Sequence, residues 1–128
     1  MSYAKAIAGI GVVPIIQKNI GYYQGDWVAV VKDTDRWPSS LGFLCYGYGS
    51  CSGCDEWEGA DNAIERAEIV VRMAKSIRWF EKPADLKAWL NSDDRREDLY
   101  IYHDDEWREF VDSVLAVSDK ELEQMRND

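Results

Sequence analysis

The chain is short of several residue types that usually carry catalysis. It holds one histidine, three cysteines and three prolines in 128 residues, and fifteen basic side chains against twenty-four acidic ones. A lone imidazole permits one Cys–His pair, and no spacing supplies the third group that would orient it. Neither G-x-x-x-x-G-K nor G-x-G-x-x-G occurs, so no glycine-rich phosphate cradle is expected. Internal repeats, low-complexity runs and linkers are absent too, and 128 residues are read as a single domain spanning 1–128. An odd cysteine count makes a poor disulfide framework and points to a reducing compartment. The apolar run from Ala6 to Ile16 is too short to span a bilayer, contains Pro14 and lacks a cleavage site. A soluble protein of the cytoplasm is expected.

What the chain does have is acid, unevenly placed. Residues 1–54 carry four basic and three acidic side chains, whereas residues 55–128 carry eleven basic and twenty-one acidic. Such a C-terminal half argues against a generic phosphate-binding surface, which needs Lys and Arg to release counterions. It can meet a basic partner, including a groove that normally holds nucleic acid.

Periodicity gives the elements. Residues 4–19 are read as helix, with Gly9, Gly11 and Pro14 as breakers and Val12-Val13 favouring a strand alternative. Gly21 to Asp33 reads as a strand, and Leu41 to Gly49 as its returning partner. Leu44, Tyr46 and Tyr48 share one face of the second strand, with Phe43 and Cys45 on the other. Asp61 or Asn62 caps a helix, with Glu65 three residues after Asn62 as in a capping box, and its expected apolar face is Ile64, Ala67, Val70, Val71 and Ala74. Ser76 to Phe80 either extends that helix or forms a short strand. Pro83 opens a second helix through Leu90, and Leu99 to Tyr102 reads as a strand. A third helix follows Asp104 or Asp105 with Trp107, Phe110, Val111 and Val114 inward, and Ser118 with Glu121 starts a final frayed turn. The expected fold is α+β, a small antiparallel sheet with helices packed on one face and zinc holding the whole together.

The zinc expectation rests on Cys51 and Cys54, a C-x-x-C pair on the glycine-rich turn after the second strand. Two thiolates need two further ligands for tetrahedral zinc. His103, at the end of a strand, is the natural third. Cys45, Asp55, another acid or water are the choices for the fourth. Asp55, Glu56 and Glu58 disfavour a free thiolate, which argues against a redox pair. The ion is expected to be structural Zn2+. Trp57, in a charged loop-like stretch, and the acidic residues Asp104, Asp105, Glu106 and Glu109 are the candidate partner-binding side chains. Reversing the charges at Glu106 and Glu109 is expected to spare the fold.

Gly21-Tyr22-Tyr23-Gln24-Gly25-Asp26, then Tyr46-Gly47-Tyr48-Gly49-Ser50-Cys51-Ser52-Gly53-Cys54-Asp55, resembles a family of small phage and prophage proteins. Ser76-Ile77-Arg78-Trp79-Phe80 and the aromatic segment ending at His103 extend the likeness over about residues 20–110. Small acidic phage proteins of this kind also resemble the anti-CRISPR inhibitors of type II systems, some of which carry zinc. That resemblance implies a non-enzymatic inhibitor acting in the host cytoplasm. It would bind the RNA-guided nuclease and keep target DNA from its positively charged channel. It also matches Cys51, Cys54 and His103 to metal-bearing positions. The alternative is a metal- or thiol-dependent enzyme of phage origin acting on a small molecule.

Overall fold

The computed structural model describes residues 3–21, 25–35, 40–48, 62–92 and 104–127. Helix α1 (Tyr3–Ala8) is followed by strands β1 (Val12–Gly21), β2 (Gly25–Asp33) and β3 (Leu41–Tyr48). Helix α2 (Ala63–Ser76), the short strand β4 (Arg78–Phe80), and helices α3 (Pro83–Leu90), α4 (Asp104–Ala116) and α5 (Asp119–Asn127) complete the described elements. The strands form one antiparallel sheet in the order β1-β2-β3-β4.

The first segment is mostly strand, not helix. Only Tyr3–Ala8 winds, and the turn through Gly9 to Gly11 stops it, with Gly11 at a φ of 87°. A Cβ at Gly11 would lie 2.6 Å from an Asp35 carboxylate oxygen, so the turn needs glycine on two counts. The β-branched run after it then pairs with β2 from Val12 onward, at the edge of the sheet. Pro14 is tolerated there because the pairing register shifts between Pro14 and Ile16.

Helices cover both faces of the sheet, which corrects the one-face expectation. The reason lies in the two central strands. Trp27 through Val31 and Leu41 through Leu44 are buried without interruption, so neither face can meet water. Val28, Val30, Leu41 and Phe43 pack under Leu86, Trp89 and Leu90 of α3, under Trp107, Phe110, Val111 and Val114 of α4, and under Leu122 of α5. Trp27, Ala29, Val31 and Leu44 pack under Tyr3 and Ile7 of α1 and Ile69 and Met73 of α2. The alternation expected along β3 holds, since Phe43 and Cys45 belong to the first layer and Leu44 and Tyr46 to the second.

Asn62 caps α2 through its Oδ1, which accepts from the Glu65 amide at 3.0 Å. The helix turns inward only part of the face its spacing predicts, since Val70 and Ala74 pack against the core and Ala67 is exposed. Ile69 and Met73 are buried, while Ile64 and Val71 are exposed. Apolar residues nearly encircle its middle, and the stripe continuing into buried Ile77 is the one the sheet selects. Arg78–Phe80 crosses as strand β4 against Leu41–Phe43, so the chain passes from one helical layer to the other. Pro83 begins α3 as expected. The last segment is a full helix, not a frayed turn. Ser118 Oγ accepts from the Glu121 amide, and Arg126 and Lys32 tie the far end by donating to the Glu81 and Met125 carbonyls. No helix among the described residues is long and apolar enough to cross a membrane.

Candidate functional site

One end of the sheet gathers the residues of interest. Gly21 pairs with Gly25, and Gly25 with Tyr48, so the end of β3 lies beside the β1–β2 connection. The Gly21 amide donates to Glu106 Oε2 at 2.9 Å, which pins the first turn of α4 to the same end. The described residues nearest to Cys51 and to His103 are thereby held at one end of the molecule. Cys51, Cys54, Trp57 and His103 themselves lie outside the described residues, as does the expected strand 99–102. Among the described residues, no group of three or more His, Cys, Asp or Glu side chains is arranged to hold a metal.

Cys45 is described, and its environment is that of a core thiol. It is half-buried on the face packed under α3 and α4. Burial first, then the negative charge of Asp26 and a hydrogen bond to it, push the thiol up to about 12. The register explains the pair. Asp26 stands opposite Gly47 and Val28 opposite Cys45, so Asp26 and Cys45 are diagonal neighbours on one face. A thiol kept protonated in this way is disfavoured as a zinc ligand, which requires the thiolate. Asp26 went unseen in the sequence because its partner is fixed by strand pairing; the parity it shares with Val28 and Val30 was the available signal.

Helix α4 holds the acidic residues. Its inward stripe of Trp107, Phe110, Val111 and Val114 is buried as predicted. Its other side carries Asp105, Glu109 and Asp112, all exposed, at four- and three-residue steps that place them on one face. Asp104 is the first residue of the helix. Glu109 meets Lys18 at 3.0 Å, and Asp112 meets Arg108 at 3.0 Å. Both are surface pairs and contribute about 0–1 kcal/mol each. Glu106 differs from its neighbours, because it is half-buried and accepts the Gly21 amide. Its reversal would lose the bond to the Gly21 amide and is therefore expected to disturb the fold, where sequence alone suggested that it would not. Lys18 was not foreseen either, since only the packing of α4 on β1 brings it within reach of Glu109.

A cleft of about 270 Å³ opens between α1 and β1, lined by Tyr3, Ala4, Gln17, Lys18, Asn19 and Trp27. Trp27 Nε1 donates to Gln17 Oε1 at 3.0 Å, and among the described residues no acid–base pair faces the space. Trp27 and Tyr46 pack with Tyr3 in the layer beneath α1.

Comparison with family models, curated proteins and solved structures gave no match. The functional reading therefore stands on geometry, charge and the sequence motifs.

Proposed function

We propose that this chain is a non-enzymatic inhibitor that sets the acidic face of α4 against a basic nucleic-acid groove on another protein. The observation carrying this reading is the build of α4. Five carboxylates and one guanidinium occupy thirteen residues of a helix whose opposite side is locked into the core. Asp105 and Glu109 are thus presented from a preorganised surface, and a partner need not order them. The resemblance in the sequence makes a type II RNA-guided nuclease the target and a phage-infected host cell the setting. Competition of this kind removes DNA access without covalent change.

In the same reading Zn2+ has a structural role and is held by Cys51, Cys54 and His103. The arrangement of the sheet end supports it, since β3 and α4 hand these residues from one place. Cys45, protonated beside Asp26, fits poorly as the fourth ligand, which leaves Asp55, another carboxylate or water. The ion would join the end of β3 to the start of α4, closing a loop of more than fifty residues.

The test is titration of the protein into a guide-loaded type II nuclease before target DNA is added, with DNA loading read by mobility shift. A stoichiometric block is expected, and Asp105→Lys with Glu109→Lys should weaken it at least tenfold while the far-UV spectrum is unchanged. Retained inhibition in that double variant would remove α4 from the interface. Substoichiometric inhibition that survives dilution of the protein would favour the metal- or thiol-dependent enzyme instead. No effect across a panel of type II nucleases would remove this target class.

A further inference from the structure

The two outer strands of the sheet differ in how far they could template a further strand. β4 is three residues long, too short to hold a neighbour. β1 is ten residues long, and Val12, Val13, Ile15, Ile16 and Ile20 in it are β-branched. Among the described residues β2 is its only strand neighbour. An outer strand of that length and composition readily pairs with a copy of itself unless something prevents it.

Two features of β1 oppose such pairing. Pro14 has no N–H to give a second strand, and the register shift between Pro14 and Ile16 distorts the row of donors and acceptors there. Lys18 protects the other half. It stands opposite Val28, on the side of the strand where Ile16 and Ile20 meet the core, and its side chain is 31% exposed. A strand added beside β1 would take water from that ammonium, at the cost of burying a charge. The segment Val12–Gly21 contains no acid, so a second β1 brings no carboxylate to offset the loss. Glu109 meets Lys18 at 3.0 Å but is itself 69% exposed, so this pair belongs to the solvated surface.

We infer that Lys18, together with Pro14, is an edge guard that keeps β1 from pairing with β1 of a second copy. The role lies in the charge of the lysine and its inward place on the strand. The bond to Glu109 is not what supplies it.

The test is sedimentation velocity of the full chain and three variants at matched concentrations, with amide I infrared spectra of the same samples. Pro14→Val with Lys18→Val is expected to self-associate at concentrations at least tenfold below any at which the parent does, and to gain extended-sheet absorption. Lys18→Arg, which keeps the charge, should sediment as the parent does. So should Glu109→Gln, which removes the ion pair and keeps the lysine. A double variant that associates no more strongly than the parent overturns the inference; another part of the chain lying along this edge would give that result. Equal association of Glu109→Gln overturns it as well, because the ion pair would then be responsible. An assembled double variant whose far-UV spectrum has lost helix would be a misfolded chain, which also overturns it. None of these outcomes depends on whether the α4 face binds a nuclease.

Discussion

At Gly42 an added Cβ would lie 2.6 Å from Ile77 Cγ2 and 2.8 Å from the Trp79 ring. Trp79 belongs to β4, which pairs with this part of β3, and Ile77 is the buried residue just before it, so neither can easily retreat. Gly42→Ala is therefore expected to cost about 1–3 kcal/mol, as overpacking does, in a denaturant titration. Cys45 gives a pH signature. Its folded pKa of about 12 stands above the ordinary 9.0, so the unfolded chain loses this proton first as pH rises. The contribution of the neutral thiol is complete below about 9 and is lost as pH climbs toward about 12. Melting curves across that window should fall less steeply for Cys45→Ala than for the parent. An equal slope would mean that the thiol ionises alike in both states.

At the scale of elements, α5 is longer than the frayed turn expected there and is tied at both ends. Leu122 is fully buried in the layer with α3 and α4, and Lys87 bridges to Asp119 at 2.7 Å. Leu122→Ala should lower stability by about 2–5 kcal/mol in the same titration, whereas a frayed terminus would register almost nothing. Sequence made some elements plain and others not, for physical reasons. The stripe of α4 and the alternation of β3 were legible because each buries one consistent set of side chains per face. β1 was obscured by Pro14 and two glycines, whose effect depends on whether the strand lies at an edge. The face of α2 was only partly readable because Ile69, Val70 and Val71 offer a helix two choices, and the sheet decides. At the candidate site, the acids of α4 were visible as a run. The structural duty of Glu106 was not, since its partner is a backbone amide 85 positions away.

For the whole molecule, the proposed zinc would act as a cross-link between β3 and α4. Elemental analysis is expected to return about one zinc per chain. Cys51→Ser or Cys54→Ser should lose the metal and lower the melting temperature; full metal retention in both would exclude the pair as ligands. The two helical layers also become available at different times. Val28, Val30, Leu41 and Phe43 are roofed by helices that begin only at Pro83 and end with α5. A chain still emerging from the ribosome therefore presents a greasy sheet until those helices are made, and any premature stop before α4 leaves it without most of its cover. Nascent-chain chaperones should crosslink to stalled chains of that length and release them once Leu122 has cleared the exit tunnel.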